Sequence, residues 1–173
     1  MMESRDIAAL STAQLASLST RQLSAIESRD FAALGTAHFA SMGSAQLAAI
    51  TSAQAAAFNT AQAAAIETSD IAAMATASVR AMSTAAIAAL TPTQIAALTA
   101  VQVGALTTLQ VSVLSTDQVQ AIEVADIGSL SNAAIVALNT ADFVALSGAQ
   151  IAALGTSQYA SMGTAQIAAL TGA

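Results

Sequence analysis

The chain has 173 residues, of which 55% are apolar, 3% aromatic and 8% charged, with a net charge of −6. It has no cysteine or lysine, and Arg5, Arg21, Arg29 and Arg80 are its basic side chains besides His38. Disulfides and thiol chemistry are excluded outright. A chain this short of positive charge also lacks the electrostatic footprint of a partner for nucleic acid or an anionic membrane surface.

The N-terminal stretch MMESRDIAAL carries charge where a secretory signal would place its apolar region, so no Sec signal is expected. From Glu3 onward the sequence falls into octads. ESRDIAAL (3–10), STAQLASL (11–18) and STRQLSAI (19–26) open a series of 21 units that reaches Leu170 without insertion or deletion. Residues 171–173 read as the start of a further repeat. Position 8 is always apolar, from Leu10 to Leu170. Position 5 is apolar too, with Ala55 and Ala63 the small exceptions, and position 7 is Ala or Ser except at Val113. Position 4 is mostly Gln or Asp, position 2 mostly Thr or Ser, and position 1 favours Ser, Thr, Gly, Asn and Glu. A polar residue interrupts the apolar run in every octad, so nothing approaches the ~20 consecutive apolar residues of a membrane span.

One long helix is ruled out by phase. Eight residues turn an α-helix by about 800°, so the apolar stripe would drift about 80° per octad and could face no single partner. The chain must break and restart. With position 1 as N-cap, Ser-Thr-Ala-Gln has the form of a capping box, in which hydroxyl and amide satisfy backbone N–H groups reciprocally. Position 8 and the next position 5 then fall where a hydrophobic staple joins, as for Leu90 and Ile95. Pro92 falls at N1, the helical position that accepts it best. Position 2 is an alternative cap. Gly35, Gly43, Gly155 and Gly163 at position 1 are expected to end the preceding helix in the left-handed conformation. The expected fold is an all-α solenoid of very short capped helices over residues 3–170, with positions 5 and 8 in one shared core. Stability would come from stacking, because helices this short do not persist alone. The alternative is a β-solenoid, favoured by Thr, Val and Ile but opposed by the alanine content and the lack of period-2 alternation.

ESRDIAAL at 3 and ESRDFAAL at 27 are three octads apart, and GTAHFASM at 35 returns as GTSQYASM at 155, five times that spacing further on. Three octads per coil explains both, although Glu67 falls out of phase and two octads per coil is an alternative.

No residue commands a catalytic assignment. His38 stands in the Gln column and reads as a polar substitution there rather than as a haem ligand. Asp6, Asp30, Asp70, Asp126 and Asp142 share that column, where a carboxylate complements a helix N-terminus; a catalytic pair would need two of them together in a cleft. Glu3, Glu27, Glu67 and Glu123 at position 1 read as solvated rim charges rather than cation ligands. The serines lack a partner base in any recognisable elbow or triad. Met42, Met74, Met82 and Met162 at position 8, and Phe31, Phe39, Phe143 and Tyr159 at position 5, read as core. No catalytic, cofactor or metal site is expected, and the chain is expected not to be an enzyme. Thr12, Thr20, Thr36, Thr60, Thr68, Thr76 and Thr84 at position 2 would form ranks on the surface, a pattern that could order water or meet ice. Val113, Gly128 and Gln120 read as natural drift from the consensus.

Octads such as LTPTQIAAL (90–98) and MGTAQIAAL (162–170) resemble repeat tracts in very large bacterial proteins that carry adhesin-like, RTX-like or haem-utilisation labels. The resemblance covers essentially the whole chain through a degenerate motif. It implies a segment of a longer exported protein, secreted or at the cell surface, but it transfers no site, since the calcium-binding GGxGxD nonapeptide of RTX proteins is absent. The expected role is a spacer, stalk or scaffold, with a surface-binding module for protein, glycan or ice as the alternative. The expected partners are flanking repeats of a parent chain and further copies through end-to-end association.

Overall fold

The structure, a computed structural model, describes residues 4–171. Glu3, Gly172 and Ala173, read above as an octad start and the opening of a further repeat, lie outside the described residues. Among the described residues each octad forms one helix, numbered α1–α21 in chain order, and there is no strand. The β-solenoid alternative therefore falls. Position 1 is the N-cap and is extended, for example Ser11 at φ −74°, ψ 160° and Asn59 at φ −86°, ψ 171°. Position 2 as the cap is excluded, because it is the first helical residue throughout.

The glycine expectation is corrected. No described glycine has a positive φ. Gly35, at φ −78° and ψ 167°, and Gly43, at φ −85° and ψ 170°, are extended N-caps like the serines around them. The C-caps are right-handed or extended, as at Ser17 (φ −81°, ψ −11°) and Met42 (φ −74°, ψ 128°), and position 1 then runs extended, so no left-handed residue is needed.

The chain divides into two compact units, 1–90 and 91–173. In the first, helices stack in three columns. One holds α1 (Ser4–Ala8), α4 (Ser28–Phe31), α7 (Ser52–Ala56) and α10 (Thr76–Ala81). A second holds α2 (Thr12–Ala16), α5 (Thr36–Ser41), α8 (Thr60–Ala64) and α11 (Thr84–Ala88). The third holds α3 (Thr20–Ser24), α6 (Ser44–Ala48) and α9 (Thr68–Ile71). In the second unit the columns are α12 (Pro92–Ala96), α15 (Thr116–Ala121), α18 (Thr140–Ala145) and α21 (Thr164–Thr171); α13 (Ala100–Ala105), α16 (Val124–Ile127) and α19 (Gly148–Ala152); and α14 (Thr108–Val111), α17 (Asn132–Ala137) and α20 (Thr156–Ser161). Within each unit a helix packs on those three before and after it, so each unit has three octads per coil, and the two-octad hairpin is excluded.

Burial follows the octad. Positions 1 to 3 mostly face solvent, positions 4, 5 and 8 are mostly buried, and position 6 is mostly exposed. Full burial of each large position-5 or position-8 side chain contributes roughly 1.5–3 kcal/mol. Volume is balanced between coils. Phe31 and Phe39 fill position 5, and one coil later the same position is Ala55 and Ala63, all four fully buried. The space is taken by Phe58, which stacks on Phe31 at 6.0 Å and meets Phe39 edge-on at 4.9 Å. Gly128 also has a structural cause. A Cβ there would lie 2.9 Å from the Ala153 carbonyl oxygen, and one at Gly104 would lie 2.9 Å from that of Ser129. Both sit at position 6 of the α13–α16–α19 column, where the stacked helices approach too closely for alanine.

Candidate functional site

The chemistry of the molecule is concentrated at its corners, where one octad ends and the next begins. A helix this short leaves nearly all its N–H and C=O groups without intrahelical partners. Position 4 answers both shortages with one side chain. At Gln54, Oε1 accepts the Thr51 N–H at 3.0 Å, while the Gln54 N–H donates to Thr51 Oγ1 at 3.2 Å. This is the expected capping box. The Nε2 group then donates to the carbonyls of Leu23, at 2.9 Å, and Ile26, at 2.8 Å, at the C-terminal end of α3 in the preceding coil. The amide orientation is fixed by this division between acceptor and donor.

The same reach, from position 4 back to position 8 in the preceding coil, recurs. Gln46 donates to Leu18 O at 3.1 Å, Gln62 to Leu34 O at 2.7 Å, Gln150 to Ile122 O at 2.8 Å, Gln158 to Leu130 O at 2.7 Å and Gln166 to Leu138 O at 2.9 Å. Position 4 is therefore an inter-coil clamp as well as a cap.

His38 performs both functions with a ring. The Gly35 N–H donates to Nδ1 at 3.0 Å, and Nε2 lies 2.7 Å from Leu10 O, which assigns the Nε2–H tautomer. Both ring nitrogens are thereby engaged. Ser78 keeps only the clamp, donating to Ile50 O at 2.7 Å.

The aspartates occupy the same corners but cannot donate when ionised. Asp142 accepts the Asn139 N–H at 3.0 Å through Oδ2, and its buried Oδ1 has no partner. Burial raises its carboxyl above the ordinary aspartate value, and the Asn139 N–H partly offsets this. Asp70 accepts from Ser44 Oγ. Asp30 is buried, 3.5 Å from the Nε of an exposed Arg29. Asp126 is half-buried and Asp6 exposed. No group of three or more His, Asp or Glu residues that could hold a metal exists among the described residues. Glu27, Glu67 and Glu123 are exposed N-caps whose side chains make no capping bond.

Met42, Met74 and Met82 are buried, as are Phe31, Phe39 and Phe143; Met162 and Tyr159 are half-buried, with the Tyr159 hydroxyl donating to Ile151 O at 2.6 Å. Gln120 is likewise placed by a bond, Nε2 to Ala145 O at 2.9 Å. Val113 is exposed, and nothing in the structure explains it.

Sequence reasoning missed the clamp, although position 4 carries a signal for it. A capping box accepts Glu as readily as Gln, yet this column has no glutamate in any octad. At the length of Gln and Glu, which can reach the preceding coil, the two differ in the donor that the clamp uses.

These features define a class, the all-α solenoid built from capped octads with three helices to the coil. Within that class the chain belongs to the ALTTAQ repeat family, whose profile matches residues 1–26, 23–60, 63–100 and 119–156. The letters of that description fit positions 7-8-1-2-3-4, the corner itself, as in Ala105-Leu106-Thr107-Thr108-Leu109-Gln110. No curated protein and no solved structure matches the chain.

Proposed function

We propose that the chain is a structural spacer or scaffold segment of a larger protein, without catalytic activity. The observation that carries this reading is the clamp: the buried polar side chains of Gln46, Gln54, Gln62, Ser78, Gln150, Gln158 and Gln166 serve the stacking of one coil on the next. The octad register runs through Leu90 and Thr91 unbroken, which supports treating residues 3–170 as one array in sequence. The likeness to repeat tracts of large exported bacterial proteins supports a secreted or cell-surface setting with flanking repeats as the natural neighbours, and an array excised from such a chain would associate end to end through its apolar ends. No helix among the described residues is long and apolar enough to cross a membrane. Deleting residues 51–74, one whole coil, tests the reading. A spacer loses helical circular dichroism only in proportion to its length and keeps a cooperative melt. A saturable rise in melting temperature with one glycan or protein, abolished by changes at exposed positions 2 and 3, would overturn it.

A second reading has its own observation. In the first unit the α2–α5–α8–α11 column presents Thr12, Thr36, Thr60 and Thr84, all exposed, each followed by Ala, with no Asp, Glu, Lys or Arg in those four octads. This uncharged side of the unit is the place where ice or another ordered surface would bind. Thermal hysteresis that disappears in Thr36→Lys and Thr60→Lys supports it, and none in the wild type removes it.

A further inference from the structure

We propose that the array contains two seams, where residues 67–90 and residues 123–146 meet the coil before them, and that coils part there while clamped coils stay stacked. The inference adds to the spacer reading above, on which its role rests, the places where such a spacer gives.

Clamps are distributed unevenly. Position 4 of the coil 43–66 carries three amides. Gln46 donates to the carbonyls of Leu15, Ala16 and Leu18, Gln54 to those of Leu23 and Ile26, and Gln62 to those of Ala32 and Leu34. The coil 147–170 is held in the same way. Gln150 reaches Val119, Gln120 and Ile122, Gln158 reaches Gly128 and Leu130, and Gln166 reaches Ile135, Val136 and Leu138.

Two coils break this pattern. In 67–90 position 4 is Asp70, Ser78 and Ala86, and in 123–146 it is Asp126, Ala134 and Asp142. An ionised carboxylate and a methyl group donate nothing, so Ser78 alone makes a clamp, to Ile50 O at 2.7 Å. At the clamp's reach of 28 residues, the other position-8 carbonyls belong to Met42 and Phe58 in the first unit and to Leu98, Leu106 and Leu114 in the second. None of these five receives a hydrogen bond among the described residues. Asp70 accepts from Ser44 Oγ across the first seam. Across the second, Gln120 Nε2 donates to Ala145 O at 2.9 Å, the one side-chain hydrogen bond from 91–122 to 123–146 among the described residues. Elsewhere a missing amide is isolated, since Asp30 is followed at once by His38 and Gln46. Both seams also begin alike. Glu67 and Glu123 are N-caps without a capping bond, and the helices they start, α9 and α16, have four residues.

Apolar contact is therefore what chiefly holds a seam closed. It is non-directional, so it resists tilting less than hydrogen bonds aimed at fixed carbonyls. Opening bends the chain at the corner 66–67 or 122–123. It uncovers position 5 of one coil and position 8 of the next, which meet across the layer, as Phe31 and Phe39 meet Phe58. Local opening of this kind needs less free energy than global unfolding.

Thiol labelling tests this. The chain has no cysteine, so one introduced thiol reports the opening of its own layer. Ala63 at position 5 and Ile66 at position 8 belong to one octad and are 0% and 3% exposed. Ala63 faces the first seam and Ile66 the clamped layer before it. Labelling of the folded protein, normalised to each variant's rate in urea, should be about tenfold or more faster for Ala63→Cys than for Ile66→Cys. Circular dichroism confirms that each variant folds. Val111→Cys is the probe of the second seam, fully buried at position 5. Adding Asp126→Gln and Asp142→Gln supplies donors toward Leu98 O and Leu114 O, and should slow its labelling about tenfold. The same pair should leave the Ala63→Cys rate unchanged. Equal rates for the two thiols of octad 59–66, or a Val111→Cys rate that the glutamines do not slow, overturn the seams while the spacer reading stands. Glutamines that slow Ala63→Cys as much as Val111→Cys overturn local opening too, since only global unfolding would then be at work. Failure of the coil deletion above overturns the spacer role and leaves the seams in place.

Discussion

Replacing Gln54 by glutamate separates the two halves of the corner. The carboxylate can still accept the Thr51 N–H, so the cap survives, but it cannot donate to Leu23 O and Ile26 O, now 2.9 and 2.8 Å from the amide nitrogen. Two hydrogen bonds of about 1 kcal/mol each are lost. A buried charge also meets two carbonyl oxygens, so the total at pH 7 is expected to reach about 3–5 kcal/mol. Gln54→Ala, which loses cap and clamp but adds no charge, is expected to cost about 2–3 kcal/mol. Burial and the facing carbonyls hold the pKa of the new glutamate above its unfolded value of ~4.3. Its penalty is therefore full at high pH and shrinks as pH falls through the folded value to about the one bond still missing, because a protonated carboxyl donates one of the two. Urea melts at pH 7 and pH 4, followed by far-ultraviolet circular dichroism, measure this. Gln54→Glu milder than Gln54→Ala at pH 7, with no recovery at pH 4, would refute the clamp.

Asp142→Gln should stabilise by about 1–3 kcal/mol at pH 7, by removing the orphaned Oδ1 and supplying a donor toward Leu114 O, the position-8 carbonyl of the preceding coil. Because burial raises the Asp142 carboxyl, the wild type loses stability as pH rises above the unfolded aspartate value, so the gain should shrink in melts at pH 4; an equal gain at both pH values would contradict it. His38→Gln should leave the stability within about 0.5 kcal/mol of wild type, while His38→Phe, which keeps a ring but neither bond, should cost about 2 kcal/mol in the same melts. Gly128→Ala should cost about 1–3 kcal/mol by pushing the Ala153 carbonyl away, and hydrogen exchange should place the loosening in α16 and α19. Phe31→Ala with Ala55→Phe should cost less than the two single changes summed, since both occupy one space; strict additivity in denaturant melts would refute the shared packing.

The helices were legible because their signals are local. The cap, the staple and the position of Pro92 all lie within a few residues, and no competing pattern at period 2 interferes. The glycine expectation failed for a physical reason: a left-handed residue is one way to end a helix, but extended backbone at the corners already does so. The core of positions 5 and 8 was read correctly, while burial of position 4 was not, since Gln at N3 has a sufficient local explanation in the capping box. The contact that buries it lies a whole coil away in sequence. The coil itself could have been read from volume. Ala55 and Ala63 follow Phe31 and Phe39 by three octads, and such compensation requires the two pairs to touch.

Three helices to the coil sets a rule for how such a gene can change. Slippage during replication adds or removes repeats in steps of the unit copied. A step of one octad leaves every helix intact but moves all later residues to the neighbouring side, separating Phe31 from Ala55 and dispersing the threonine column. A step of three octads returns each residue to its own side and changes length alone. Length is therefore open to variation between lineages only in whole coils wherever a side or a packing pair matters. The size of the indels between related chains would record which sides selection has kept.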